Sequence, residues 1–245
     1  MARKVLPIFF AIAGCLGAQK LSACHTPLDV PCYIVHGSST LLRIAAPQAF
    51  NFDQIKSNYT RALRRDGSSV YKNEYSISRW FNIERGKGTA VDYYLADRKE
   101  IVHVEEAART ISRREPVTSS DVPHRNSVKG DETCETAIRH FGNGFRMTDN
   151  ATVAATHVVK WTRPLGKGRQ DVYLAPSLDC IPLKSYRLER NALNLPVYRE
   201  SDEATSVELR EPGHELFKLP VGYRLVNDSQ QMKQKDEHGA LPWVR

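Results

Sequence analysis

The sequence predicts an α+β protein built on one antiparallel sheet with one or two short helices, and three observations carry that expectation. Apolar and polar residues alternate in short runs such as "IVHVEE" (101–106), the period of a half-buried strand. Turn-forming residues separate these runs, Asp66-Gly67 and the Gly166–Gly168 stretch among them, and such residues close hairpins. Most runs are polar on one side, which predicts a sheet with one buried and one wet face. The buried face must be covered, either by the sheet curling on itself or by helices laid across it.

The first residues stand apart from this pattern. "MARKVLPIFFAIAGCLGAQ" opens with Arg3 and Lys4, runs apolar from Val5 to Leu16, and ends in small residues. That is the layout of a secretory signal peptide, and the run is too short to span a bilayer comfortably. "IAGC" ends at Cys15 and "LSAC" at Cys24. Each resembles the bacterial lipobox, so Cys24 and Cys15 are lipidation candidates; a lipid there would tether the folded part to a membrane. Cleavage near Ala18 or Ala23 is the alternative. The expected division is a signal peptide or lipoprotein signal over 1–23, a single antiparallel-sheet domain over 24–226, and a polar tail over 227–245. The expected location is exported, in the periplasm or cell envelope.

Export permits disulfides. Apart from Cys15, the chain holds Cys24, Cys32, Cys134 and Cys180, and four cysteines allow three pairings. The most local choice joins Cys24 to Cys32 and Cys134 to Cys180. No C-x-x-C spacing or nearby His pair suggests zinc, so no metal site is predicted.

Along the chain, "NFDQIKSNYTRALRR" (51–65) reads two ways. As a helix it has Asn51 as cap and Ile55, Tyr59 and Leu63 on one face. As a strand it puts Ile55, Ser57, Tyr59, Arg61 and Leu63 on one side, where Arg61 is out of place. The strand is preferred because the Asp66-Gly67 turn needs a partner before it. "TAVDYYLADRKEIVHVEE" (89–106) gives two strands around Asp97-Arg98-Lys99, and "RTISRR" (109–114) another. Residues 115–133 are polar with two prolines and predict a long surface loop. "DETCETAIRHFG" (131–142) predicts a short helix stopping at Gly142. From Ala151, "ATVAATHVVKWTRP" reads as one strand running into the Gly166–Gly168 turn and then "DVYLAP". Two further strands fall at "LKSYRLERN" (183–191) and "ATSVELREP" (204–212), and "ELFKLPVGYRLV" (215–226) closes the ordered part.

The chain has 245 residues, 41% hydrophobic and 26% charged, with a formal charge of +7 to which Arg3, Lys4 and Lys20 contribute. No basic block is interleaved with aromatics, so no nucleic-acid partner is predicted. No G-x-S-x-G, H-E-x-x-H or phosphate-cradling loop is present. "RGKG" (85–88) and "LGKG" (165–168) read as basic hairpin turns. His103 and His157 read as half-exposed strand residues and would form a site only if brought together with a carboxylate. No catalytic residue and no cofactor is predicted.

The second half carries a resemblance. Trp161 before a Gly-turn, then Tyr173, Leu174, Ala175, Pro176, Leu178, Cys180, Pro182 and Leu183, then Glu211, Pro212, Leu216, Phe217, Pro220, Gly222 and Tyr223 resemble the pattern of a family of uncharacterised exported bacterial proteins. That family is similar in fold to periplasmic lipoprotein carriers of the LolA type. The resemblance covers roughly residues 134–226. It implies a strongly curved antiparallel sheet, an open half-barrel, with an apolar cavity for a lipid or lipoprotein acyl chain. Val159, Trp161, Tyr173, Leu174 and Phe217 are then the residues expected inside the curved sheet. Pro176 and Pro182 bracket what reads as an edge-type segment, with Cys180 anchoring that edge to Cys134. The function expected is non-catalytic binding of an apolar ligand. The alternative is a structural or protein-interaction module of the envelope with a filled core, and the third reading is an envelope hydrolase. The sequence names no oligomeric state.

Overall fold

The computed structural model describes residues 24–26, 30–44, 52–79, 83–116 and 131–226. The expected signal segment with Cys15, most of the loop expected over 115–133, and the tail expected over 227–245 lie outside the described residues. Among the described residues, twelve strands form one sheet. They are β1 (Tyr33–Ile44), β2 (Phe52–Leu63), β3 (Ser69–Arg79), β4 (Ile83–Leu95), β5 (Glu100–Glu105), β6 (Thr110–Arg114), β7 (Arg146–Val153), β8 (Thr156–Leu165), β9 (Gly168–Ala175), β10 (Ile181–Arg190), β11 (Pro196–Glu208) and β12 (Arg224–Leu225). The order across the sheet is β12-β6-β5-β4-β3-β2-β1-β11-β10-β9-β8-β7. The chain meanders outward from β1 to β6, restarts at the far edge with β7, and returns to lay β11 beside β1. Every pairing is antiparallel except β12 with β6. β7 and β12 are the edges and do not pair with each other, so the sheet is an open half-barrel.

Strand, not helix, is the state of residues 52–63. Ser57, Tyr59 and Leu63 are buried on one side, while Lys56 and Asn58 are exposed on the other. Arg61 keeps its place on the buried side because its guanidinium lies 5.4 Å from the centre of the Tyr71 ring, a cation–π contact. The Asp66-Gly67 turn forms as expected: Gly67 has φ +85°, and the Ser68 amide donates to Asp66 Oδ1 at 2.8 Å.

Three expectations need correction. Residues 151–164 are not one strand. β7 ends at Val153, and Ala154 and Ala155 (φ +47° and +60°) turn the chain into β8. Two consecutive positive-φ residues match the twist of a tight hairpin, but alanine gives no turn signal. The stretch between Pro176 and Pro182 is not an edge: β9 and β10 are both interior strands. Pro176–Leu178 is a 3-10 turn, and Asp179 and Cys180 have positive φ. Pro182 is tolerated at the start of β10 because the register shifts there, between Pro182 and Lys184; bulges are where prolines fit a sheet. "RGKG" is not a turn but part of β4. A Cβ on Gly88 would sit 2.6 Å from the Tyr75 hydroxyl, so glycine there admits the ring.

α1 (Glu135–Ile138) continues as a 3-10 turn over 139–141 and stops at Gly142, φ +112°. Asp131 caps it, accepting the Glu135 and Thr136 amides at 3.1 and 2.9 Å. Its burial works against the charge, but these amides and the Thr133 hydroxyl outweigh that and hold the carboxyl below its usual range.

Among the described residues, three buried clusters form. One joins Tyr33, Val35, Tyr59 and Leu63 of β1–β2 to Val158, Ala175 and Leu183 of β8–β10. Those strands are not neighbours in the sheet order, so the sheet must curl to bring them together. Register shifts at Gly37 in the β1–β11 pair and at Pro182/Lys184 supply bends. A second cluster lies on the opposite face of β1–β6, where Ile34, Ala62, Val70 and Tyr93 are covered by Phe217 and Leu216. In the third, Ala137 and Ile138 of α1 cover Val159, Trp161, Val172 and Leu174 of β8–β9.

Candidate functional site

A hairpin centred on Asp97-Arg98 places Asp92 of β4 opposite His103 of β5, and β6 adds Ser112 opposite His103. His103 Nδ1 lies 2.5 Å from Asp92 Oδ1. Asp, His and Ser in one rung are the residue types of a hydrolytic triad, which needs the far imidazole nitrogen to reach the serine hydroxyl. Here His103 Nε2 is buried with no hydrogen-bond partner among the described residues, and Ser112 is 2% exposed. The arrangement reads as cross-strand packing. Asp92 was readable from the turn position alone. His157 does not join it: it is exposed on β8, with seven strands between β8 and β5 in the sheet order.

The five apolar candidates fall in three places. Val159, Trp161 and Leu174 lie beneath α1, and Trp161 Nε1 donates to the Thr133 carbonyl at 3.1 Å. Tyr173 lies on the opposite face of β9, with Lys160 and Lys184 5.5 and 5.8 Å from its ring centre. Phe217 belongs to the cluster over β1–β6, with the Arg64 guanidinium 5.1 Å from its ring centre. They do not line one cavity. Val159, Trp161, Leu174 and Phe217 are buried under the chain's own side chains, while Tyr173 is half-buried between the two lysines.

Among the described residues, one open surface is polar, and sequence reasoning missed it. On the face that carries Ile34, Ala62 and Val70 at one end, the composition changes along the strands. Cross-strand pairing aligns three successive rungs: His36–Thr60–Lys72, then Ser38–Asn58–Glu74–Thr89, then Thr40–Lys56–Ser76–Lys87. Between the first and second rungs lies a hollow of about 320 Å³, and between the second and third one of about 690 Å³. Side chains alternate along a strand, so Ser39, Ser57, Tyr75 and Gly88 offer backbone as the floor of the larger hollow while the rungs form its walls. His36 Nδ1 lies 3.0 Å from Thr60 Oγ1, and Lys72 Nζ is 2.7 Å from Glu74 Oε1. The signal was present in the sequence: the outward positions of β2 are Gln54, Lys56, Asn58 and Thr60, a polar series no core would need.

Both expected disulfides are present, Cys24–Cys32 and Cys134–Cys180, with Cα separations of 5.3 and 5.5 Å. The second ties the start of α1 to the β9–β10 turn. The first uses the Cys24 sulfur, so a thioether-linked lipid at Cys24 and this bridge exclude each other. Among the described residues, Cys24, Cys32 and Glu211 place possible ligand atoms within 4.8 Å of one another, but the bonded sulfurs are not available to a metal. Glu211 instead accepts the Arg65 amide, at 3.1 Å to Oε2. No helix among the described residues is long and apolar enough to cross a membrane.

No family model matches the chain, and no curated protein matches it significantly. Solved structures similar to it include the MucA/MucB complex of Pseudomonas aeruginosa (12% identity, 79% of this chain and 58% of that chain, TM-score 0.39). They also include a β-barrel-like protein of domain DUF1849 from Brucella abortus (9% identity, 74% and 99%, TM-score 0.37). A third is a domain described as an outer membrane lipoprotein-sorting protein from Vibrio parahaemolyticus (8% identity, 73% and 85%, TM-score 0.21). The lipoprotein-sorting type named by the sequence resemblance is thus among the neighbours. The chain spans under two thirds of the first of these structures, and at these TM-scores the likenesses carry no functional argument.

Proposed function

We propose that the protein is an exported, non-catalytic binding module of the cell envelope that meets its partner or ligand on an exposed surface. The observation that supports this is the distribution of cover. α1 closes the apolar face of β8–β9, and residues 214–226 close that of β1–β6, while the far half of β1–β4 is left open and polar. An acyl-chain carrier needs an open apolar hollow. Here the side chains that would line one are already packed: Val172 and Leu174 are 0% exposed. The two disulfides support export, since such bridges persist in oxidising compartments.

The test is native mass spectrometry of the protein isolated gently from an envelope fraction, with the free cysteines blocked beforehand. The expected result is a protein carrying two disulfides and no bound lipid. Stoichiometric co-purifying lipid would overturn the reading in favour of an apolar-ligand carrier, and fully reduced cysteines would remove the argument for export.

A further inference from the structure

The open hollows on β1–β4 have the chemistry of a site for a polyanionic sugar chain, and we propose that they bind an acidic polysaccharide laid across the strands. This rests on the binding-module reading and names its ligand class. The rungs are two residues apart along each strand, about 7 Å. The channel between them runs perpendicular to the strands, so its width suits a single extended chain rather than a folded domain. Its walls carry hydroxyl, amide and ammonium groups together with the Glu74 carboxylate, which between them can donate to and accept from sugar hydroxyls.

Charge decides the class of sugar. Lys72 is neutralised by Glu74 at 2.7 Å. Lys56 and Lys87 are exposed and have no side-chain partner among the described residues. They sit in one rung with Ser76 between them, two strand spacings or about 10 Å apart. A polyuronate chain lying along that rung would bring every second carboxylate to a lysine. A protein partner fits less well, because protein interfaces are anchored by apolar or aromatic side chains in central pockets, and the rungs that wall the larger hollow offer none.

The experiment is isothermal titration calorimetry of the full chain with polygalacturonate, with dextran and poly-glutamate as the neutral and peptidic polyanion arms. The expected result is binding to polygalacturonate that weakens with salt, no binding to dextran, and poly-glutamate binding at least tenfold weaker. Lys56→Gln/Lys87→Gln should lose at least tenfold in affinity with an unchanged melting temperature, because both side chains are exposed. Asn58→Ala, which removes an amide from the middle rung and no charge, should lose a few-fold and keep the salt dependence. Absence of polygalacturonate binding, equal binding by the double lysine variant, or equal binding of poly-glutamate would each overturn the proposal. None of these outcomes bears on the lipid content measured by mass spectrometry, so the two readings fail separately.

Discussion

Arg61 and Tyr71 face each other across the β2–β3 pair, with the guanidinium carbon 5.4 Å from the ring centre. They occupy the buried side of the sheet, where Tyr59 and Leu63 close the same cluster. A half-buried cation–π contact is worth about 2 kcal/mol when desolvated. Arg61→Ala should therefore lower the unfolding free energy by roughly 2 kcal/mol, seen as a lower urea midpoint at unchanged slope. A double-mutant cycle with Tyr71→Leu should show positive coupling. Strict additivity would mean that the ring does not hold the cation.

The same cluster predicts alkaline behaviour. Burial pushes Tyr59 and Tyr71 up to about 12, with Arg61 opposing it. A pKa raised in the folded state means the native protein keeps protons that the unfolded chain releases. This contribution is complete below the ordinary tyrosine value of about 10 and is lost as pH rises toward 12. Urea unfolding at stepped pH should show that decline, and Tyr59→Phe/Tyr71→Phe should make it shallower, the buried Tyr33 hydroxyl of the same cluster keeping a share. An equally steep decline in the double variant would assign the effect elsewhere.

The Cys134–Cys180 bridge spans 46 residues of chain. In the chain-entropy model a loop of that length contributes about 4 kcal/mol. Cys134→Ala/Cys180→Ala should lower stability by a large part of that and loosen α1 from β8–β9. Trp161 is 7% exposed beneath that cover, so its fluorescence should shift to the red while strand content stays. An unshifted Trp161 spectrum would show that packing alone holds α1.

Much of this fold was readable where a turn fixes a register. Asp66-Gly67 set the β2–β3 pairing, and the Gly166–Lys167 turn set β8 against β9. That second turn already pairs Trp161 with Val172, so Tyr173 had to fall on the other face from Trp161. Treating both as lining one surface ignored the alternation. The bulges were not readable. The register shift at Pro182/Lys184 changes which residues of β10 face the curled interior; Pro182 marks the place, but proline fits an edge as well as a bulge, and the edge was the reading taken. The open polar face escaped notice for a different reason: apolar positions draw attention as core, whereas Lys56, Asn58 and Thr60 look like ordinary solvated strand positions until the neighbouring strands repeat the pattern.

Ala154 and Ala155 offer a stabilising change. Both have positive φ, a region where a Cβ is costly and Asn or Gly is favoured. Ala154→Asn/Ala155→Gly should raise stability by about 1 kcal/mol, read as a higher melting temperature. Ala154 also packs at the edge of the first cluster, so Ala154→Gly with Ala155 kept should gain less. A loss in both variants would mean that the alanine methyls contribute more to packing than their backbone strain costs.

Gly37 lies where the β1–β11 register shifts, and it forms part of the floor of the smaller hollow. On the opposite face a Cβ would stand 2.3 Å from the Tyr59 Cζ and Oη atoms and 2.7 Å from the Glu203 carbonyl oxygen. The ring is the end of a side chain and can be removed, but the carbonyl belongs to β11 and cannot move without disturbing the ladder. Gly37→Ala should therefore destabilise by about 1–3 kcal/mol, the usual cost of overpacking. Adding Tyr59→Leu should recover only part of the loss, because the carbonyl contact remains. Full recovery would show that the ring was the whole obstacle, and a neutral Gly37→Ala would show that β1 and β11 approach less closely than described.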